Sequence, residues 1–282
     1  MCRTPAAAWG FAVRALQLAA SYRLRLALAI AGLAASVAVF ACVGRVVALA
    51  GPGFRERYGM SYAAFAVVGV VLHGVASSGL ASFRAAARRE QMLGTLESVA
   101  TVVSVPLAVA LSGAAELLLA AFGAAITLGG AAWALGLRLA PEPAALAGAA
   151  LYVIGMCGLG LASGGTILVS KEGDPIAWVV STLAALGGGV YFPVELLPVW
   201  ARRVSTVLPT THALALVRSS CGTRDVVVAG DVVRCAGSVT QVDPAASLAA
   251  LAAFSAGSLV VGFLVLRWGA GRAVRDGTLG EH

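Results

Sequence analysis

The sequence has 282 residues, 60% hydrophobic and 12% charged, and its mean hydropathy of +0.91 excludes an ordinary soluble domain, whose surface needs many more polar residues. The formal net charge is +7, and of the 20 basic residues only Lys171 is not arginine. With no polar domain outside the lipid to present a basic face, that excess argues against a nucleic-acid partner and reads as a set of orientation signals for membrane helices.

In chain order, Met1 to Pro5 lacks the pattern of a cleavable signal, so the first span is expected to remain as a signal anchor. Over residues 9–25 the polar Arg14, Gln17, Ser21 and Arg25 recur at steps of three and four among apolar residues. That spacing predicts an interfacial helix on the cytoplasmic leaflet, or else an extension of the first span. Residues 26–49 predict the first span, and Gly51-Pro52-Gly53 a turn. A second span is expected over 62–83, interrupted by His73 and by Ser77, Ser78 and Ser82. A histidine at mid-membrane is a functional candidate by default, although a neutral imidazole bonded to a neighbouring helix is the favoured reading.

Residues 84–104 form a polar loop in which Arg84, Arg88 and Arg89 mark the cytoplasmic side. Gly94 is placed to end a helix, and Thr95 to cap a short one with Leu96, Val99 and Val103 on its apolar face. On charge alone this is a solvated helix end followed by an ordinary loop. The third span, 106–130, carries one charge, Glu116, which must be paired, protonated or facing water. A bond to a neighbouring helix and a role in a pathway both remain open for it. The fourth span, 144–169, is rich in glycine, as close helix packing requires. A tight cytoplasmic turn, Lys171 to Pro175, leads into the fifth, 175–192.

That fifth span is where the pattern breaks. The apolar run Ile176 to Val190 falls short of the roughly 20 residues a spanning helix needs. It meets Gly187-Gly188-Gly189 and then Tyr191-Phe192-Pro193, with Pro198 and Pro209 beyond, which predicts two short helices over 193–218 folding back into the outer leaflet. Irregular backbone at that depth is tolerated only where it is buried in protein or lines a water-filled cavity, so the break points to a pathway. Residues 219–244 form a polar, β-prone outer loop in which Cys221 and Cys235 either pair, if that side is oxidising, or remain two thiols. The sixth span, 245–266, is followed by Arg267, Arg272 and Arg275, which hold the tail inside. The cysteines are too scattered for a metal site.

The fold expected is therefore all-α: a single polytopic membrane domain with six spans, an N-terminal interfacial helix, a re-entrant helical hairpin after the fifth span, and both termini cytoplasmic. Two stretches carry a family resemblance. Gly189, Tyr191-Phe192-Pro193, Leu197-Pro198, Leu208-Pro209, His212 and Arg218 resemble the signature of ABC-2 type exporter permeases, and Arg88-Arg89-Glu90 with Gly94-Thr95-Leu96-Glu97 is similar to that family's first cytoplasmic loop, where a coupling helix meets the ATPase. The resemblance implies a permease of the inner (plasma) membrane that works as a dimer with a second copy or a homologue, its second and fifth spans lining the seam. Two copies of a separate ATPase subunit would drive it.

The chain has no Gly-x-x-x-x-Gly-Lys-Ser/Thr loop, so it binds no cofactor itself, and ATP with Mg belongs to the partner. The resemblance thus implies a transport subunit and not an enzyme. Pathway helices of Ala, Gly, Val and Leu, with His73, Ser77 and Glu116 as their polar groups, lean towards an amphipathic or lipid-like cargo such as a drug, lipid, polyketide or glycan. The competing reading is a proton-coupled secondary transporter using Glu116 and His73. Such folds commonly carry paired broken helices, and this sequence has one.

Overall fold

The computed structural model of the chain describes residues 10, 13, 17, 23–49, 51, 53–58, 60–92, 105–135, 142–170, 175–221, 226–228, 231–233 and 243–275. Helices dominate: α1 (Arg23–Leu49), α2 (Gly53–Tyr58), α3 (Tyr62–Met92), α4 (Val105–Leu135), α5 (Pro143–Ser170), α6 (Pro175–Gly187), α7 (Val199–Ser205), α8 (Pro209–Cys221) and α9 (Pro244–Arg275). A 3-10 turn at Val194–Leu196 lies between α6 and α7, and β1 (Val226–Val228) pairs antiparallel with β2 (Asp231–Val233). Proline is the first residue of α5, α6, α8 and α9, where its missing N–H has no helical partner to lose.

Among the described residues four helical stretches are long and apolar enough to cross a membrane: Tyr62–Arg89, Pro106–Trp133, Pro143–Val169 and Pro244–Arg272. Where the first and fifth spans are expected there are shorter apolar stretches, Ala34–Leu49 and Ala177–Gly187. Several ends differ from the sequence reading. Helix α3 runs past the expected span end at 83 to Met92, two residues before the Gly94 at which the helix is expected to end, because its buried stripe continues through Phe83, Ala86 and Ala87 and the residues beyond are good helix formers. Helix α4 continues through Gly129-Gly130 to Leu135, since the apolar run goes on beyond the pair and no cap or proline follows it there, and α9 extends from 266 to Arg275. Helix α6 stops at Gly187, short of 192.

Helix α5 is central. Helices α9, α3 and α8 pack on it, while α4 and α1 pack on α3. The α5–α9 seam is made by backbone approach. Gly262 lies against the carbonyl of Gly158 and Gly269 against that of Gly165, so that both pairs are seven residues apart on both helices. A side chain starting at Gly165 would be 2.6 Å from the Val265 carbonyl, so neither helix tolerates growth here. Beside the seam, Phe83, Val109, Leu161, Leu168 and Leu266 form one buried cluster, and Tyr152, Met156, Leu216 and Leu251 belong to a second. Outward faces are apolar too: Leu118, Phe122 and Ile126 of α4 and Val260, Val261 and Phe263 of α9 are exposed, a surface suited to lipid and not to water.

Gly262→Leu should destabilise the chain by about 1–3 kcal/mol through overpacking, read as a lower thermal midpoint in detergent. Gly257→Ala, on the same helix with nothing within 4 Å of the added carbon, should leave that midpoint nearly unchanged. Equal responses would remove the backbone seam as the cause.

Candidate functional site at the broken helix

Helix α6 ends on its three glycines. Gly188 N–H donates to Ala184 O at 3.1 Å, and Gly189 has φ +75°, a left-handed turn that glycine adopts without strain. Beyond that point the carbonyls of a helix C-terminus have no helical donors and carry the negative end of its dipole.

Four of them are satisfied from other elements. Ser205 Oγ, at the end of α7, donates to Gly187 O. Arg218 of α8 donates from Nη1 to Gly189 O at 2.9 Å and from Nη2 to Val190 O at 3.1 Å. Tyr62, the first residue of α3, donates from its hydroxyl to Tyr191 O at 3.1 Å. Arg218 Nη2 also donates to Phe65 O at 3.0 Å, and the guanidinium lies 3.3 Å from the centre of the Phe65 ring. The arginine is only 5% exposed, so these bonds form where water does not compete. Its planar fork reaches two successive carbonyls of the broken end and one of α3, which an ammonium has no geometry to copy.

Gly69 makes the approach possible. A carbon added there would meet the Val190 carbonyl and stand 2.7 Å from Arg218 Nη2. On the α5 side, Tyr152 and Thr210 share a buried hydroxyl bond of 2.9 Å, and Leu208 packs on Gly187. His212 donates from Nε2 to Thr206 O at 2.9 Å, fixing the turn between α7 and α8.

Over the break, Phe54, Tyr58, Tyr62 and Phe65 form an aromatic cluster, and Tyr191 stacks on Phe40 of α1 with centroids 5.6 Å apart. Glu195 accepts from the Tyr58 hydroxyl at 3.1 Å and pairs with Arg57 at 3.3 Å, while Arg202 donates to its carbonyl. Burial, then the bond to Glu195, pushes the Tyr58 phenol above its ordinary range, so it remains a protonated donor through neutral pH. The cavity left between Tyr58, Phe65, Glu195, Thr211 and Arg218 is about 30 Å³, room for a water or two and too small for a drug-sized ligand.

The residues singled out from the sequence thus meet around one point. Pro193 precedes the 3-10 turn, Leu197 N–H closes it on Val194 O at 3.1 Å, Pro198 caps α7, Pro209 opens α8, and Phe192 is half-buried beside Pro193. Sequence reasoning missed Tyr62, Phe65, Gly69, Ser205 and Thr210. Gly69 sits in an ordinary valine-rich run and nothing local separates it from other glycines.

The remaining candidates lie elsewhere. Glu116 of α4 pairs with Arg89 of α3, so an acid assigned to the membrane and a cation assigned to the coupling loop belong to one bridge between helices, both partly buried. His73 bonds Ser77 Oγ of its own helix at 3.2 Å, not a neighbouring helix as expected, because the i,i+4 spacing puts the two on one face. Arg88 is exposed on the last turns of α3. Glu90 belongs to α3 but its side chain is not among those described, and Gly94, Thr95, Leu96 and Glu97 fall outside the described residues. Cys221 ends α8 and Cys235 lies outside them, so no bridge is assigned. No group of His, Cys, Asp or Glu among the described residues is placed to hold a metal. Compared with protein-family models and with curated proteins, the chain matches none.

Arg218→Leu strips the two buried carbonyls past the end of α6, Gly189 and Val190, of their donor and should cost about 2 kcal/mol or more at about 1 kcal/mol or more each. Arg218→Lys should recover part of that. An unchanged unfolding midpoint for the leucine variant would remove the joint's structural role. In a double-mutant cycle, Arg89→Gln and Glu116→Gln together should destabilise by less than the sum of their separate losses, the difference being a coupling of about 0.5–3 kcal/mol. Additive losses would mean that the bridge contributes nothing.

Proposed function

We propose that this chain is the permease subunit of an ATP-binding cassette exporter, two copies facing each other across a pathway and driven by a separate ATPase. The observation that carries the reading is the break in α6, whose carbonyls are bonded by Ser205, Arg218 and Tyr62 from other helices. That helix has 13 residues, about 20 Å at 1.5 Å per residue, against a hydrocarbon core of about 30 Å. It therefore stops inside the bilayer, where loose backbone carbonyls are not tolerated unless protein or a water-filled cavity covers them. Helices α7 and α8 form the re-entrant hairpin that covers them from the outer side. In six-span form the chain also uses α1 and α6 as its first and fifth crossings.

Arginine placement orients it. Arg84, Arg88, Arg89, Arg267, Arg272 and Arg275 share the end at which α3 and α9 finish, which makes that end cytoplasmic in the inner membrane. The ATPase docks there on the segment from Arg88 to Glu97. ATP with Mg supplies the driving free energy in that partner. What this chain contributes is a two-state bundle whose conformations the docked segment biases. The Arg89–Glu116 bridge ties the docking end of α3 to α4, so a shift of that end is passed to a neighbouring span. Cargo of amphipathic or lipid-like character suits walls with few polar groups.

The proton-coupled alternative needs Glu116 and His73 to exchange a proton. Gly113 packs on Phe83 and Leu117 near Gly79, which puts Glu116 level with about Leu80 on α3. That is seven residues, or about 10 Å, from His73, and the carboxylate is engaged by Arg89. The exporter reading is the stronger of the two.

The deciding experiment is co-purification with a candidate ABC ATPase subunit taken from a neighbouring reading frame, and ATPase activity in lipid for wild type and Gly94→Pro. Binding with stimulation that Gly94→Pro abolishes supports the exporter. Solute movement on a proton gradient alone, lost in Glu116→Gln, would establish the alternative instead.

A further inference from the structure

One stripe of α3 is unlike the outward faces of the bundle. On α4 and α9 those faces are built of residues such as Leu118, Phe122, Val261 and Phe263, which suit acyl chains. On α3, Val70, His73, Ser77, Ala81, Arg84 and Arg88 follow at steps of three and four, half-buried as far as Arg84 and exposed at Arg88. His73 stands about 16 Å along the helix from Tyr62, near the middle of a hydrocarbon core of about 30 Å. Acyl chains offer an imidazole and a hydroxyl nothing to bond at that depth.

Two neighbours flank the stripe. At about 100° per residue, Gly69, on which the Val190 carbonyl beyond α6 lies, is about 40° to one side of His73, and Ala63, on which Gly44 of α1 lies, is about 80° to the other. Farther in, α1 lies farther round, because Val37 packs with Val67 and Val71, about 120° and 160° from His73. The gap between α1 and α6 thus widens towards the end that carries Arg84 and Arg88. Within it, a carbon added to Gly74 meets no atom within 4 Å. At the outer end the gap is bridged: Phe40 of α1, level with about Val67 by the Gly44–Ala63 contact, stacks on Tyr191 with centroids 5.6 Å apart. That stack stands about 9 Å outward of His73.

We propose that α1, α3 and α6 frame a water-filled cleft, entered from the arginine-marked side and ending at His73 beneath an aromatic gate of Phe40 and Tyr191. Water in the cleft gives His73 and Ser77 the partners that lipid denies them. The two rings of the gate come from α1 and the re-entrant turn, so they part by a small shift between these elements and no helix has to break. The cleft itself needs only that α3 crosses the bilayer. Its use as the inner vestibule of the pathway, with the polar head of an amphipathic solute on His73 and Ser77, rests on the exporter reading. A second copy packed on the stripe is the other candidate occupant, and it would bar water from both sides.

The test uses the full chain with Cys2→Ser, Cys42→Ser, Cys221→Ser and Cys235→Ser, which leaves Cys157, buried in the core. Single thiols are added by Ser77→Cys, a nearly isosteric exchange, by His73→Cys, and on the lipid face by Phe122→Cys, which is level with about Gly74 by the Gly113–Phe83 contact. In sealed vesicles of each orientation they meet a charged, membrane-impermeant methanethiosulfonate, which attacks the thiolate and so reports where water reaches. From the cytoplasmic side Ser77→Cys and His73→Cys should react on the order of tenfold faster than Phe122→Cys, whereas from outside all three should be slow. Adding Phe40→Ala should raise the outside rate at Ser77→Cys and His73→Cys on the order of tenfold and leave the cytoplasmic rate nearly unchanged. Rates no higher than that of Phe122→Cys from both sides overturn the cleft, whether lipid or a second copy covers the stripe. Equally fast rates from both sides, or no response to Phe40→Ala, overturn the gate. If His73→Cys fails to insert, Ser77→Cys alone decides. No ATPase is needed for the labelling, so a failure here is distinct from a failure of co-purification.

Discussion

One guanidinium holds the unusual part of this molecule together. A helix that ends among packed neighbours leaves buried carbonyls that water does not reach, each costing several kcal/mol if left bare. Arg218 answers that problem with charge and shape together. Its positive charge faces the negative end of α6, its fork spans Gly189 and Val190, and its remaining reach ties both to Phe65 of α3. A buried arginine would itself be expensive, but here the cation and the orphaned carbonyls satisfy one another, and the Phe65 ring covers the guanidinium face. Remove either side and the other is left buried and unpaired.

The two halves of the bundle are therefore held by different physics. Between α5 and α9 the attraction is close backbone contact, which glycines permit and any side chain would prevent. Between α3, α6 and α8 it is a directional polar network around a single residue, joined to α5 through the Tyr152–Thr210 bond. Contact packing tolerates sliding poorly and has no preferred partner atoms, whereas a hydrogen-bonded joint has a discrete made state and a discrete broken one. If the bundle changes conformation, the polar joint is the place where two arrangements can be separately stable.

The bridge between Arg89 and Glu116 belongs to the same logic. Glu116 stands about 16 Å along α4 from Val105, too deep for a free carboxylate. A long arginine side chain leans back towards the N-terminus of its helix and so reaches inward from the end of α3 to meet it. The carboxylate loses its isolation and the helix end gains an anchor within the bundle.

Apolar runs, prolines at helix starts and clusters of arginine were enough to read off helical segments, their order and the place where one of them fails, because each is a local property of a few neighbouring residues. The failure itself was visible in Gly187-Gly188-Gly189 and Tyr191-Phe192-Pro193 for the same reason. Helix ends were less legible: α3 and α9 run on past the apolar stretch, since a helix is ended by caps and packing and not by hydropathy alone. What only the tertiary structure decided is partnership. Arg218 meets Phe65 across 153 residues, Tyr62 meets Tyr191 across 129, and Gly69 yields space to a carbonyl far along the chain. Glu116 was a lone acid until α3 brought Arg89 to it. Hydropathy and propensity are sums over neighbours in sequence, whereas a buried hydrogen bond depends on which helices lie side by side, and no local pattern records that.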